Sequence, residues 1–322
     1  MSKVIGIDIS KATFDVCFSE SDGWVHKVLS NDSKGFRAFY KLLTPADHCV
    51  MEASGPYYLQ LALFLSQKGV GVSVVNPVVI RRFAQMKLIR AKTDKKDARL
   101  IAEYGIQESP KLWKAEDESI MHMKQMFTAL QGISRQLHIS CRQLNAFMSS
   151  GVICPQVKRT LNSLIKTLRL KKEQLEKQLF QLAKQHYKES FERLQSIPGI
   201  GPKTATLLTV ITHDFTKFEN SRQLIAYIGL SPRVYQSGIS VKGKGHICKM
   251  GNSLIRKQLY LCSWTAKFCN RSCREMYKRL KSKGKPERVI KIAIANKLLK
   301  QAFSIAKSGI HFNENHIPKP CF

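Results

Sequence analysis

The chain has 322 residues, 43% hydrophobic and 24% charged, an ordinary balance for a globular protein with room for two or three domains. Its 53 Lys+Arg against 23 Asp+Glu give a net charge of +30, more than solubility alone asks for and suited to a phosphate-rich partner. A strand pattern from the first residues speaks against a signal peptide, the polar breaks at Gln60, Gln67, Lys68 and Asn76 against a transmembrane helix, and nine cysteines without CxxC pairs against a structural zinc, so a cytoplasmic, nucleoid-associated bacterial protein with free thiols is expected.

Residues 1–110 read as alternating strands and helices. Val4, Ile5, Ile7 and Ile9 mark a first strand, and Thr13–Ser19 and Trp24–Leu29 two more around Asp22-Gly23. Ser33–Leu43 carries Phe36, Phe39, Tyr40 and Leu43 at helical spacing, His48–Glu52 is a short strand, and Tyr57–Gln67 is a helix closed by Gly69. Val70–Val75 is the fifth strand, Pro77 opens a helix at its tolerated first turn, and Thr93 caps another. Hairpins first and crossovers afterwards predict a mixed five-stranded sheet with helices packed on it.

Residues 111–190 nearly lose glycine and fill with Leu, Lys, Gln and Glu. Leu164, Leu168, Leu175, Leu179 and Leu182 predict a long helical hairpin or coiled coil, broken near Gly151–Pro155, for which oligomerisation is favoured over a solvated spacer or an RNA-gripping arm. Residues 191–322 form a third region of dense positive charge, with 22 Lys+Arg against 4 Asp+Glu between Arg193 and Lys300 and with Tyr227, Tyr235, Tyr260 and Trp264 interleaved. Within it QSGISVKGKGHICKMGNS is too rich in glycine for a helix and too polar for a core strand, and is expected to be a loop.

Four acids stand out in the basic chain. Asp8 and Glu52 end apolar strands, where a carboxylate is costly unless it meets a cation, while Asp94 and Asp97 share one face of a first helical turn. Taken singly, Asp94 is a favourable first-turn acid and Asp97 an ion-pair partner for Lys95 or Lys96. Taken together, the four predict an oxygen-rich pocket for Mg²⁺, with Mn²⁺ as the alternative ion.

In LQSIPGIGPKTATLLTVI, Gly199 and Gly201 leave backbone N–H groups free at a helix start beside Lys203. The segment resembles the helix-hairpin-helix element that grips a DNA backbone, the alternative being a tight turn between packed helices. Downstream lie Ser231, Ser237, Ser240 and Ser253. A serine attacks phosphorus only where a base or metal takes its proton and cations hold the charge. Ser237, among Arg233, Lys242, Lys244 and Lys249, has that company, but spacing alone does not separate it from Ser240.

GIDISKATFDV, VMEASGPYY, VVNPVVIRRFAQ and AKTDKKDARLIAEY at the front, with IPGIGPKTA, IAYIGLSPRVYQSG and HICKMGNSLIRKQLY at the back, together resemble a family over nearly the whole chain: the DEDD-type transposases of the one-ten/eleven-eleven insertion-sequence group, bridge-RNA-guided recombinases. The resemblance implies an α/β RNase H-like (RuvC-like) domain over residues 1–110 and a mainly α transposase domain over 191–322, on either side of the helical coiled-coil region for oligomerisation that the leucine spacing predicts over 111–190. It implies Asp8, Glu52, Asp94 and Asp97 as the metal-binding tetrad and Ser237 as the nucleophile that forms a covalent serine–DNA intermediate. Implied partners are double-stranded donor and target DNA, a structured guide RNA, and further copies of the chain as a dimer or tetramer. Lys203, Arg233, Lys242, Lys244, Lys249 and Arg256 are the cations expected to hold nucleic acid. Two other readings compete: a Holliday-junction-resolvase-like Mg²⁺ endonuclease using water, and a non-catalytic nucleic-acid-binding protein.

Overall fold

The computed structural model describes residues 3–21, 23–89, 93–233, 236–237, 241–242 and 245–314. They divide into two compact units, Met1–Glu116 and Asp117–Phe322.

The first unit grows from strand alternation. In β1 (Val4–Ile9), Ile5, Ile7 and Ile9 face one way into a core shared with Phe14, Val16, Phe36, Phe39, Cys49, Met51 and Leu61. Val4 faces the other way, into a smaller core with Val50, Ile80, Phe83, Leu100 and Ile101. β2 (Thr13–Glu20) and β3 (Gly23–Ser30) fold back as an antiparallel meander, while β4 (His48–Glu52) and β5 (Gly71–Val75) join in parallel, giving the order β3-β2-β1-β4-β5. This is the mixed five-stranded sheet that the chain order predicts. α1 (Ser33–Tyr40), capped by Asp32, and α2 (Tyr58–Gln67) cover the larger core; α3 (Pro77–Met86), capped by Asn76, and α4 (Asp94–Glu108), capped by Thr93, cover the smaller one.

α4 lies tight on the sheet because two glycines let it. A Cβ on Gly6 would sit 2.1 Å from the Ala98 carbonyl oxygen, and one on Gly105 2.6 Å from Val4 and 2.8 Å from Val50.

The second unit is helical. α5 (Glu118–Ser149) and α6 (Pro155–His186) form a hairpin of two 32-residue helices, each about 48 Å long, breaking where Gly151 and Pro155 predict. The sequence suggests separate helical and C-terminal regions, yet the base of this hairpin shares one core with the C-terminal helices. Ile120, Met123, Phe127, Leu130, Leu179 and Ala183 pack with residues of α7 (Lys188–Gln195), α8 (Pro202–Thr212), α9 (Ser221–Ile228), α10 (Ser253–Cys269) and α12 (Glu287–Ser308). Apolar positions at the hairpin base continue the C-terminal core, so composition shifts there without a break in packing. α11 (Arg271–Ser282) completes the bundle. Among the described residues no helix is long and apolar enough to cross a membrane.

Candidate active site

The acids of the first unit are placed by strand register. Ile7 pairs with Met51 across β1 and β4, so Asp8 and Glu52 are the next neighbours at the carboxyl ends of two parallel strands. Gly6 and Val50, two residues earlier, both meet α4, and alternation sends Asp8 and Glu52 to the same side. Asp97 stands in the first turn of that helix, one residue before the Ala98 carbonyl that packs over Gly6. Glu52 and Asp97 line one pocket of about 390 Å³ together with Arg81 and Gln85 of α3. Ser54 donates its hydroxyl to Glu52 Oε1 at 2.7 Å, fixing that carboxylate's rotamer. Asp94 is exposed at the start of α4, outside the residues that line the pocket.

A further acid escapes the sequence reading. Asp15 of β2 pairs directly with Asp8, so the two carboxylates share a face of the sheet. Asp15 is buried and sits 2.7 Å from His26 Nε2. Like charges directly opposite across strands are destabilising unless a cation intervenes. Its signal was present in TFDV, where an acid interrupts the apolar strand. Arg81 and Ser54 were equally visible in RRFAQ and EASG, but only the fold brings them to the acids.

The donor set suits a hard divalent cation: carboxylate oxygens only, at strand ends, beside a pocket with room for water and a phosphate. Among the described residues no three acidic, histidine or cysteine side chains are drawn together as a metal-binding group. Asp8, Asp15 and Glu52 share a face of the sheet, and Glu52 and Asp97 share the pocket, without a collapsed coordination shell.

The serine-bearing segment of the second unit is gathered by a neck. Gly229, at φ +79°, passes so close to residue 250 that a Cβ would lie 2.2 Å from the Met250 carbonyl oxygen; one on Gly251, at φ +122°, would lie 2.0 Å from that of Tyr227. Two bonds tie the same crossing, from Lys249 N–H to the Gly229 carbonyl (3.1 Å) and from Cys248 N–H to that of Ser231 (2.8 Å). Beyond it the expected loop forms two short ladders, β6 (Pro232–Arg233) with β9 (His246–Ile247) and β7 (Gln236–Ser237) with β8 (Val241–Lys242). Ser237 thus has its backbone in a short antiparallel ladder, opposite Val241. The side chains of Ser237 and Lys242, and all of Ser240 and Lys244, lie outside the described residues.

The expected nucleic-acid cations have different surroundings. Arg233 and Lys249 are exposed. Lys203 is half exposed but pairs with Glu176 at 2.6 Å. Arg256 donates from Nη1 to the Ile228 carbonyl at 2.7 Å, which makes it a brace for the neck at the end of α9. In IPGIG, Gly199 adopts φ +102° with its Cα against Ala266, where a Cβ would lie 2.7 Å from the alanine methyl. Gly201 faces open space at the uncapped start of α8. The first glycine is required by packing, and the second leaves open space beside the start of α8.

Two family models match the chain, one described as Transposase over residues 5–152 and one as Transposase IS116/IS110/IS902 family over residues 191–278. The pilin gene-inverting protein of Moraxella lacunata is 32% identical, over 98% of this chain and 99% of its own length. The transposase for insertion sequence element IS1111A of Coxiella burnetii is 27% identical over 80% and 76%. T. thermophilus RuvC in complex with Holliday junction substrate aligns to 35% of this chain and 100% of its own at 11% identity and a TM-score of 0.27, too low to speak for the fold. One family model spans every acid on the α4 face and the other spans the neck and its hairpin, while the Moraxella relative runs through both, so the chain belongs to the IS110 family of DEDD transposases.

Proposed function

We propose that this protein cuts and rejoins double-stranded DNA at the ends of a mobile or invertible segment, by metal-assisted attack of a serine on the backbone. The observation that carries this reading is the acid face on α4 and the sheet in a chain similar along its whole length to a gene-inverting protein. Asp8, Glu52, Asp94 and Asp97 would hold Mg²⁺, which when bound supplies charge stabilisation at a phosphate. Arg81 stands beside Glu52 and Asp97 to receive a phosphate oxygen, and Ser54 keeps Glu52 aimed. The Ser237 hydroxyl loses its proton and forms an ester bond to phosphorus, and the bond to the departing sugar oxygen breaks as that oxygen is protonated. A free sugar hydroxyl from a second strand reverses the exchange, so no phosphodiester is lost to water.

The surface fits the rest of the reading. Exposed Arg233 and Lys249 and the open start of α8, read as a helix-hairpin-helix-like element, address the DNA backbone without reading bases. Sequence choice would then fall to a structured guide RNA. Ile139, Phe147, Met148, Val152 and Leu170 are exposed along the α5–α6 hairpin, apolar surface suited to a coiled-coil contact with further copies in a dimer or tetramer.

The test uses the intact chain, a supercoiled plasmid carrying its gene with flanking DNA, co-purified RNA and Mg²⁺. The wild type should yield a protein–DNA adduct that survives detergent and disappears with protease. Ser237→Ala should abolish the adduct and the strand breaks, while Asp97→Asn and Glu52→Gln should lower both by about a hundredfold or more. Breaks undiminished in Ser237→Ala would mean that water is the nucleophile. Activity undiminished in Asp8→Asn and Asp97→Asn would remove the metal reading, and sequencing of co-purified RNA that returns no discrete species would remove the guided one.

A further inference from the structure

α10 turns two unlike faces to its surroundings. Ile255, Leu259, Cys262 and Ala266 enter the core, whereas Leu261, Trp264 and Phe268, at spacings of three and four, stand 50%, 50% and 69% exposed on the other side. Large side chains left in water in a row on one helix face mark a contact surface. Trp264 is also held rigid from behind. The Lys291 ammonium lies 3.2 Å from its ring centroid, and Lys267 sits 4.9 Å from the ring of Phe268 and 4.8 Å from that of Tyr277. One carboxylate, Glu287, serves both lysines, at 3.3 and 3.1 Å, so the cluster keeps a positive excess directly beneath the exposed rings.

The stripe opens into a groove. Leu261 also lines a cleft of about 670 Å³ between α5, α6, α8 and α10, whose walls carry Arg135, Arg142, Lys172 and Lys257. Glu176, paired with Lys203, is the acid among its described lining residues. Cations along a groove, followed by rigid aromatic faces with cations behind them, is the arrangement that takes a single nucleic-acid strand, phosphates in the groove and bases on the rings. A paired duplex hides its base faces and would use only the cations. A second copy of the chain would bring a like-charged groove against this one.

We infer that Trp264 and Phe268, on the exposed face of α10, form a base-stacking platform for unpaired nucleotides of an RNA whose backbone follows the adjoining cationic groove. The inference rests on the reading that the protein works with a structured RNA, and it assigns the unpaired segments of that RNA a place on the second unit.

The experiment measures binding of the intact protein to an unstructured oligouridylate of about 20 nucleotides and to an RNA duplex of matched length. Oligouridylate should quench the tryptophan fluorescence of the wild type, and most of that quenching should vanish in Trp264→Phe. Trp264→Ala and Phe268→Ala should each weaken the single strand about tenfold and leave duplex affinity unchanged. Phe268 is mostly exposed, so its variant folds even if that of Trp264 does not. Normal binding and quenching in all three variants would overturn the platform while leaving the nucleic-acid reading intact. Failure of the wild type to bind either RNA at low salt would overturn both. Loss of self-association on sedimentation, with RNA affinity unchanged, would show a protein partner and overturn the inference.

Discussion

At the scale of single residues, charge placement explains more than charge number. Glu287 accepts from Tyr277 Oη at 2.8 Å and from Lys267 and Lys291, and these bonds, the tyrosine's first, pull its carboxyl down to about 2 from the ordinary 4.5. A depressed carboxyl contributes stability above its unfolded value and loses it as the pH falls through the folded one. The difference in urea midpoint between wild type and Glu287→Gln should therefore be constant from pH 7 to about 5 and should close between about 4.5 and about 2. A difference that persists in acid would mean that Glu287 acts through packing alone. The partner Lys291 is almost fully buried, so the variant leaves an ammonium with only an aromatic face for compensation.

At the scale of elements, the sheet and its acids were legible because strand alternation, turn glycines and caps all agree in residues 1–110. Asp8 and Glu52 could be recognised as strand-end acids from the apolar runs before them. The depth of α4 could not, because the contact that fixes it is the absence of a side chain at Gly6, which leaves no periodic trace. Asp15 was missed for a related reason: its neighbour Asp8 is adjacent only through cross-strand register. Gly6→Ala places a methyl 2.1 Å from a helix carbonyl and 2.2 Å from the Ala102 nitrogen, backbone that has no rotamer to yield. It should destabilise the first unit by about 3 kcal/mol in urea unfolding and move Asp97 away from Glu52, reducing any rise in melting temperature on adding Mg²⁺. Gly132→Ala, exposed in α5 with nothing within 4 Å, should instead stabilise by about 0.5–1 kcal/mol. Equal effects at the two sites would refute the close approach. The neck was the least legible element, since Gly229 and Gly251 look like loop glycines until the crossing they permit is seen.

At the scale of the molecule, the cores do not mix. Among the described residues, the two clusters on either face of the sheet draw on residues before 117, and the helical cluster on residues after it. The sequence suggests three regions because composition changes twice, whereas packing changes once. A fragment of residues 1–116 should fold alone, with one cooperative urea transition and native-like near-ultraviolet circular dichroism. A fragment that binds hydrophobic dye and melts without cooperativity would show that the sheet depends on the helical unit.

The strand order also sets a schedule. β1 lies at the centre of the sheet, yet it is the first strand made, and its antiparallel neighbours follow at once. Asp97 follows Asp8 by 89 residues (97 − 8), roughly 4–18 seconds later at ribosomal rates of about 5–20 residues per second. On a nascent chain, Asp8 therefore stays without its helical counterpart until α4 emerges and settles over Gly6. On the proposed reading, a site that needs both acids cannot form on a half-made first unit, and attack by Ser237 waits for the second unit as well.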